Sequence, residues 1–141
     1  MKMNTQHISA LLVFILLSCC TFTKANPNEE LLQVINCVSK SGDQQLCDQF
    51  LECNDKMAEP FLTAYNECIR VILPNGIGSC DENTELYYSE RNRRLINRCI
   101  YCKVAGKELT DEDKQQMDEF QQCVHTLGEK AGCQSSEENS K

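Results

Sequence analysis

Cysteine is the residue type in this chain that can do the most chemistry. The 141 residues include 11 cysteines, and nine of them follow a predicted signal peptide. Cysteine at this density is typical of secreted proteins, in which disulfides stabilise a small core. We therefore predict that disulfides form among Cys37, Cys47, Cys53, Cys68, Cys80, Cys99, Cys102, Cys123 and Cys133.

The odd number of these cysteines bears on assembly. Nine cysteines permit at most four internal bridges, so one is either free or joined to a second chain. We predict that Cys133 is this residue, because little packing should constrain a position beside the C-terminal tail. A link between two copies would make the protein a disulfide-linked homodimer.

Cys99-Ile-Tyr-Cys102 has the CxxC spacing of redox motifs and of zinc sites. A redox motif needs a thioredoxin-like βαβ context, which this chain lacks. A zinc site needs a second pair of ligands, for which Cys123 and His125 are the nearest candidates. Thiols of a secreted protein oxidise first, so we predict structural disulfides here and neither a metal nor a cofactor.

Catalysis finds little support in the sequence. His125 is the one histidine that follows the signal peptide, and no Ser, Cys or Asp is placed beside it in a recognisable catalytic motif. Phosphate-binding glycine loops and the HExxH and GxSxG motifs are absent from the sequence. We predict a protein that is not an enzyme, with no catalytic residue.

The chain has one basic cluster, which consists of Arg91, Arg93, Arg94 and Arg98. Three of the four, all except Arg93, share a helix face and could contact phosphate, sulfate or an anionic lipid. The order Arg-x-Arg-Arg also matches a dibasic processing site, with cleavage before Leu95. The third interpretation is a solvated face whose charge is balanced by Glu85 and Glu90, of which Glu90 has i,i+4 spacing to Arg94.

The elements that must position these residues are helices. Apolar residues recur at helical spacing between start and stop signals, while strand signals are nearly absent. We predict an all-α fold of about five short helices cross-linked by disulfides. The predicted starts are Asn26-Pro27, Asp43, Pro60, a position near Thr84 and the capping box at Thr110, and the predicted ends are Ser41-Gly42, Met57, Pro74, Gly106 and Gly128.

The two ends of the chain predict where the protein acts. Residues 1–25 have the charged, apolar and small-residue regions of a secretory signal peptide, so we expect a secreted, extracellular protein. Residues 26–133 form the predicted helical domain, and residues 134–141 a disordered acidic and polar tail. No later segment has the roughly 20 apolar residues of a transmembrane helix. The net charge of −7 excludes a basic nucleic-acid binder.

Part of the chain resembles the microplusin-type antimicrobial proteins of arthropods. The similar features are Leu51-Glu52-Cys53, a helix ending in Cys68, Cys99-x-x-Cys102, and the segment 109–123. This resemblance implies a small secreted helical protein of an arthropod secretion, closed by disulfides. The copper-sequestering His-rich ends of that family have no counterpart here.

These observations favour a secreted, cysteine-rich protein that acts by binding as a venom (toxin-like) or defence component of an arthropod secretion. Its target would be an extracellular protein or a membrane. The first alternative is an extracellular carrier of a small hydrophobic ligand held between the helices. The second alternative is an antimicrobial protein that sequesters a metal, which would involve His125.

Overall fold

A computed structural model describes residues 28–133, and the regular secondary structure of this part of the chain is entirely α-helical, without a β-strand. The predicted all-α fold is therefore confirmed, with five helices in this range. The predicted signal peptide and the predicted C-terminal tail lie outside the described residues. The helices are α1 (Glu29–Ser39), α2 (Gln44–Asn54), α3 (Glu59–Ile72), α4 (Glu90–Val104) and α5 (Asp111–Lys130).

Local capping interactions account for three of the helix starts. The Asp43 carboxylate accepts hydrogen bonds from the backbone N–H groups of Gln45 and Leu46, at the first turn of α2. Thr110 and Asp113 form a reciprocal capping box at the start of α5, as the sequence predicted. The Ser89 hydroxyl accepts from the Asn92 N–H and begins α4. These caps satisfy backbone donors that have no partner inside the helix.

Helix α4 begins at Glu90, and the predicted start near Thr84 is therefore wrong. The chain before it is a loop, because Tyr87 and Tyr88 both adopt left-handed backbone angles, with φ of 59° and 64°. Such angles cannot continue a right-handed helix. The Tyr87 N–H instead donates to the Ile77 carbonyl at 2.6 Å, which joins the two ends of this long connection.

Four disulfides connect the elements, with Cα–Cα distances of 5.7–6.1 Å. Cys37–Cys133 joins α1 to the residue that follows the turn after α5, and Cys53–Cys123 joins α2 to α5. Cys47–Cys80 joins α2 to the loop before α4, and Cys68–Cys99 joins α3 to α4. Cys102 is disulfide-bonded as well.

Cys133 therefore does not have the role predicted for it. Gly132 has a φ of 72°, and the Cys133 N–H donates to the Gly128 carbonyl at 2.8 Å, so the chain turns back on the end of α5. This turn buries Cys133 and brings it to Cys37 on α1. Since its sulfur is used within the chain, Cys133 cannot supply the interchain link predicted from the sequence.

The core lies between the five helices and is well filled. Val38, Leu86 and Val124 are completely buried, and Phe50, Phe61 and Phe120 pack in the same cluster. A cavity of about 50 Å³ remains among the core side chains. Ligand pockets are usually about 300–1,000 Å³, so this space is several times too small for a small-molecule ligand.

Candidate functional site

The arginine cluster divides into buried and exposed members, and Arg93 is the buried one. Its side chain is 1% exposed and forms an ion pair with Glu85 at 2.9 Å. Its guanidinium also donates to the Asn36 side-chain oxygen at 2.6 Å and to the Leu86 carbonyl at 2.8 Å. Arg93 therefore joins α4 to α1 and to the preceding loop, and it is not placed to contact an external anion.

The helical spacing of residues in α4 indicates that Arg93 lies on the buried face of this helix. It lies three residues before Ile96 and four before Asn97, and both of these residues are buried on the inner face of α4. The sequence around Arg93 is otherwise strongly basic, which favoured an exposed cluster. A buried arginine needs several acceptors, and those acceptors come from α1 and the loop, far along the chain.

Arg94 is half-exposed and connects α4 to α1. Its guanidinium donates two hydrogen bonds to the Glu29 carboxylate, at 2.8 and 3.1 Å, and also contacts Glu90. The Glu29 carboxylate holds the pKa of Arg94 above its ordinary value. Hydrogen bonds from Lys40 and Arg94 lower the pKa of Glu90. This network stabilises the packing of α1 on α4 and satisfies the charge of Arg94 within the chain.

Arg91 and Arg98 are exposed, and they lie on the same face of α4 as the exposed Leu95, one turn before it and one turn after it. We call these three residues the α4 outer face. Leu95 is 42% exposed, and Tyr88, which immediately precedes the cap residue Ser89, is 46% exposed. The proposed cleavage before Leu95 falls inside α4, so a protease would reach this bond only if that part of the helix unfolded.

His125 lies on the outer side of α5 beside two carboxylates. Its ring nitrogens are 3.7 Å from Glu30 and 3.6 Å from Glu129, at the edge of an open groove of about 490 Å³ between α1 and α5. Residues 28–133 contain no cluster of three or more His, Cys, Asp or Glu side chains that could hold a metal ion. Cys123, the other candidate ligand that the sequence offered, is bonded to Cys53.

Cys99 and Cys102 do not form a CxxC redox pair. Cys99 is joined to Cys68 on α3, and the bridge ties the two helices that precede and follow the long connection. Because a disulfide sulfur is not a thiolate, Cys99 offers neither a nucleophile nor a metal ligand in the oxidised protein. The expectation of a structural disulfide at Cys99 is confirmed.

A buried network of polar side chains at the centre of the protein was not predicted from the sequence. The hydroxyl groups of Tyr65 and Tyr87 lie 2.8 Å apart, and the Asn54 side-chain amide donates to Tyr87 at 3.4 Å. Burial raises the pKa of Tyr87 well above its ordinary value and also raises that of Tyr65. Both hydroxyls are therefore protonated at neutral pH and act as structural hydrogen-bonding groups.

The fold and the disulfides define a class of small helical proteins whose elements are joined covalently. Comparison with known families assigns the chain within that class: residues 25–134 match the family model named Hi1a-like and described as U10-hexatoxin-Hi1a. The chain belongs to this family of cysteine-rich arthropod venom toxins, which are secreted proteins. No curated protein and no solved structure matches the chain.

The family match refines the resemblance described above. An arthropod origin, abundant cysteine and secretion are common to both. The matched family is one of venom toxins, and it replaces the microplusin-type antimicrobial proteins as the relevant comparison. Across residues 28–133, no helix is both long and apolar enough to cross a membrane.

Proposed function

We propose that this protein is a non-enzymatic venom protein that acts by binding an extracellular target with the surface of a rigid scaffold. The observation that carries the proposal is that disulfides tie all five helices while the interior is filled by side chains. A molecule built in this way offers little space inside. Its outer surface is therefore the part that can recognise a partner.

Rigidity supports binding in a specific way. The four bridges span sequence separations from 31 to 96 residues, and each restricts the unfolded chain. A surface that is already ordered loses little conformational entropy when it binds. The same cross-links also resist local unfolding, which protects a protein released into a protease-containing fluid.

The carrier alternative is weakened by the core. A carrier must enclose most of its ligand, and the cavity of about 50 Å³ is lined by packed core side chains such as Phe50, Met57 and Phe120. The groove between α1 and α5 is larger but is lined mainly by polar and charged side chains. Neither space suits a small hydrophobic ligand.

Catalysis and metal capture are weakened by the chemistry of the described side chains. Eight cysteines are used in the four bridges that hold the helices together, so their sulfurs are not available as nucleophiles or ligands. His125 is half-exposed beside Glu30 and Glu129, an arrangement that does not activate a nucleophile. The surface is then the remaining candidate for activity.

Binding of the oxidised protein to intact arthropod cells tests this proposal. Protein labelled at its N-terminal amine should bind saturably, and unlabelled oxidised protein should compete. Reduced and alkylated protein has the same sequence but lacks the bridges, so it should not compete. The absence of saturable binding to cells from several arthropod tissues would overturn the proposal, and so would equal competition by the reduced protein.

A further inference from the structure

We propose that the protein contacts its target with the exposed surface where the second half of α3 lies beside the end of α4. The occupant is a segment of a partner protein that carries carboxylates beside an apolar side chain. This inference rests on the proposed binding function and names its surface and the chemistry of its partner. We call the surface the basic face, and it consists of Glu67, Arg70 and Val71 on α3, Lys103 on α4, and Lys107 in the loop after α4.

The carboxylate of Glu67 is the centre on which this surface is organised. The Lys103 ammonium group lies 2.7 Å from it and so joins α4 to α3. Arg70 and Val71 follow Glu67 by three and four residues, a spacing that makes side chains neighbours on a helix surface. The hydrogen bond from Lys103 lowers the pKa of Glu67, and the nearby charges of Lys107 and Arg70 lower it further.

The basic face carries positive charge on a protein that is acidic as a whole. Three cations lie around one carboxylate here, whereas the complete chain has a net charge of −7. Lys103 is paired with Glu67, but neither Arg70 nor Lys107 forms a direct ion pair within residues 28–133. Arg70 and Lys107 are therefore the cationic groups that can pair with an external carboxylate.

The relative positions of these groups are fixed by contacts between α3 and α4. The Cys68–Cys99 bridge joins the two helices directly after Glu67 and one turn before Lys103. The rings of Phe61 and Tyr101 pack edge to face in the same helix pair, with centroids 6.1 Å apart. Because the helices are already held together, little backbone ordering is needed when a partner binds.

Charge complementarity indicates an acidic protein segment as the occupant. A guanidinium forms paired hydrogen bonds with a carboxylate, and arginine is enriched among the residues that dominate binding energies. Val71 adjoins Arg70 and is 79% exposed, more than any other large hydrophobic residue of the described chain. A single exposed apolar residue is ordinary on a protein surface, but beside these cations it adds an apolar contact to the charged ones.

An anionic membrane fits the basic face less well. Stable binding to a membrane surface requires a large apolar face or a dense basic patch. Val71 is one apolar side chain, and the net charge of −7 repels anionic lipid from the rest of the molecule. A protein segment can instead place its carboxylates at Arg70 and Lys107 alone.

An NMR titration locates the surface directly. The ¹⁵N-labelled oxidised protein is titrated with a synthetic peptide of alternating glutamate and leucine residues. We expect shift changes centred on residues 67–71 and 103–107, and an affinity that falls about fivefold or more in Arg70→Gln/Lys107→Gln. A peptide of alternating glutamine and leucine should cause no such changes. Shifts centred elsewhere, or no shifts with the glutamate peptide, would overturn the proposal.

The matched control variant is Arg91→Gln/Lys56→Gln. It also replaces one exposed arginine and one exposed lysine, but Arg91 lies on the α4 outer face and Lys56 follows α2. This variant should keep the affinity of the parent protein for the glutamate peptide. An equal loss in both variants would show that only net charge matters and would overturn the proposal. Well-dispersed NMR spectra establish that both variants are folded.

Two further measurements separate the possible partners and the two proposals. Sedimentation with phosphatidylcholine vesicles containing phosphatidylserine should show no binding, and binding that is lost in Arg70→Gln/Lys107→Gln would assign the basic face to lipid and overturn the inference. Arg70→Gln/Lys107→Gln should also bind arthropod cells more weakly than the parent protein. Unchanged cell binding by this variant would overturn the inference while leaving the proposed binding function intact.

Discussion

The guanidinium of Arg93 lies 2.9 Å from the carboxylate of Glu85, and the arginine side chain is almost completely buried while that of the glutamate is 37% exposed. The pair therefore joins the interior to the surface. Asn36 and the Leu86 carbonyl accept the other hydrogen bonds of the guanidinium, so α1, α4 and the loop that precedes α4 meet at this one charged group.

Substitution of Arg93 should destabilise the fold strongly. Arg93→Met keeps the length of the side chain but leaves the Asn36 oxygen and the Leu86 carbonyl without their donor. We expect a loss of about 2–4 kcal/mol in the free energy of unfolding, measured by guanidinium chloride denaturation. Arg91→Met, an exposed position in the same helix, should change it by less than about 0.5 kcal/mol. Similar losses in the two variants would contradict the buried role of Arg93.

The disulfide pairing can be tested by comparing two orphaned cysteines. Cys133→Ala leaves Cys37, which is exposed, and Cys80→Ala leaves Cys47, which is completely buried. We expect iodoacetamide to modify Cys37 in the folded protein but Cys47 only after unfolding, as read by mass spectrometry. Each variant should lose about 2–5 kcal/mol of stability. Modification of a different cysteine in either folded variant would refute the corresponding bridge.

Gly78 should be far less replaceable than Gly42. Both residues have positive φ angles, of 76° and 69°, which alanine adopts at a cost of about 1 kcal/mol. A Cβ at position 78 would also lie 2.7 Å from the Glu85 carbonyl oxygen, whereas position 42 is open. We expect the thermal midpoint of Gly78→Ala to fall well below that of Gly42→Ala. Equal midpoints would show that the loop can move away from the added methyl group.

Asp81 should contribute to the acid sensitivity of the fold. Its carboxylate accepts hydrogen bonds from the backbone of Asn83 and Thr84 and from the Ser79 hydroxyl, which lower its pKa from 3.8 to about 2. Because the pKa is depressed in the folded state, the stabilisation is present above pH 3.8 and is lost as the pH falls towards 2.

Thermal unfolding between pH 5 and pH 2 measures this contribution. Asp81→Asn should be less stable than the parent protein at pH 5, and the difference should shrink as the pH approaches 2. Glu82→Gln changes a neighbouring exposed acid and serves as the control. A difference between Asp81→Asn and the parent that stays constant over this range would show that the carboxylate charge is not responsible.

Local features of the sequence were sufficient for most of the helices. The Asp43 cap, the Thr110 capping box and the helical spacing of apolar residues in α5 all depend on residues within about one turn of one another. These interactions do not depend on a tertiary contact. The abundance of cysteine similarly predicted a disulfide-linked secreted protein, because composition alone reflects an oxidising environment.

Tertiary structure decided the remainder, because the interactions concerned join residues far apart in the chain. Cys133 pairs with Cys37 at a separation of 96 residues, and no local pattern distinguishes that partner from the others. Helix α4 begins only at Glu90, after the left-handed backbone angles of Tyr87 and Tyr88, and the Tyr87 N–H bonds to the Ile77 carbonyl ten residues earlier in the chain. Arg93 is buried because Asn36 and Glu85 converge on it from two other elements, and only packing brings those acceptors together.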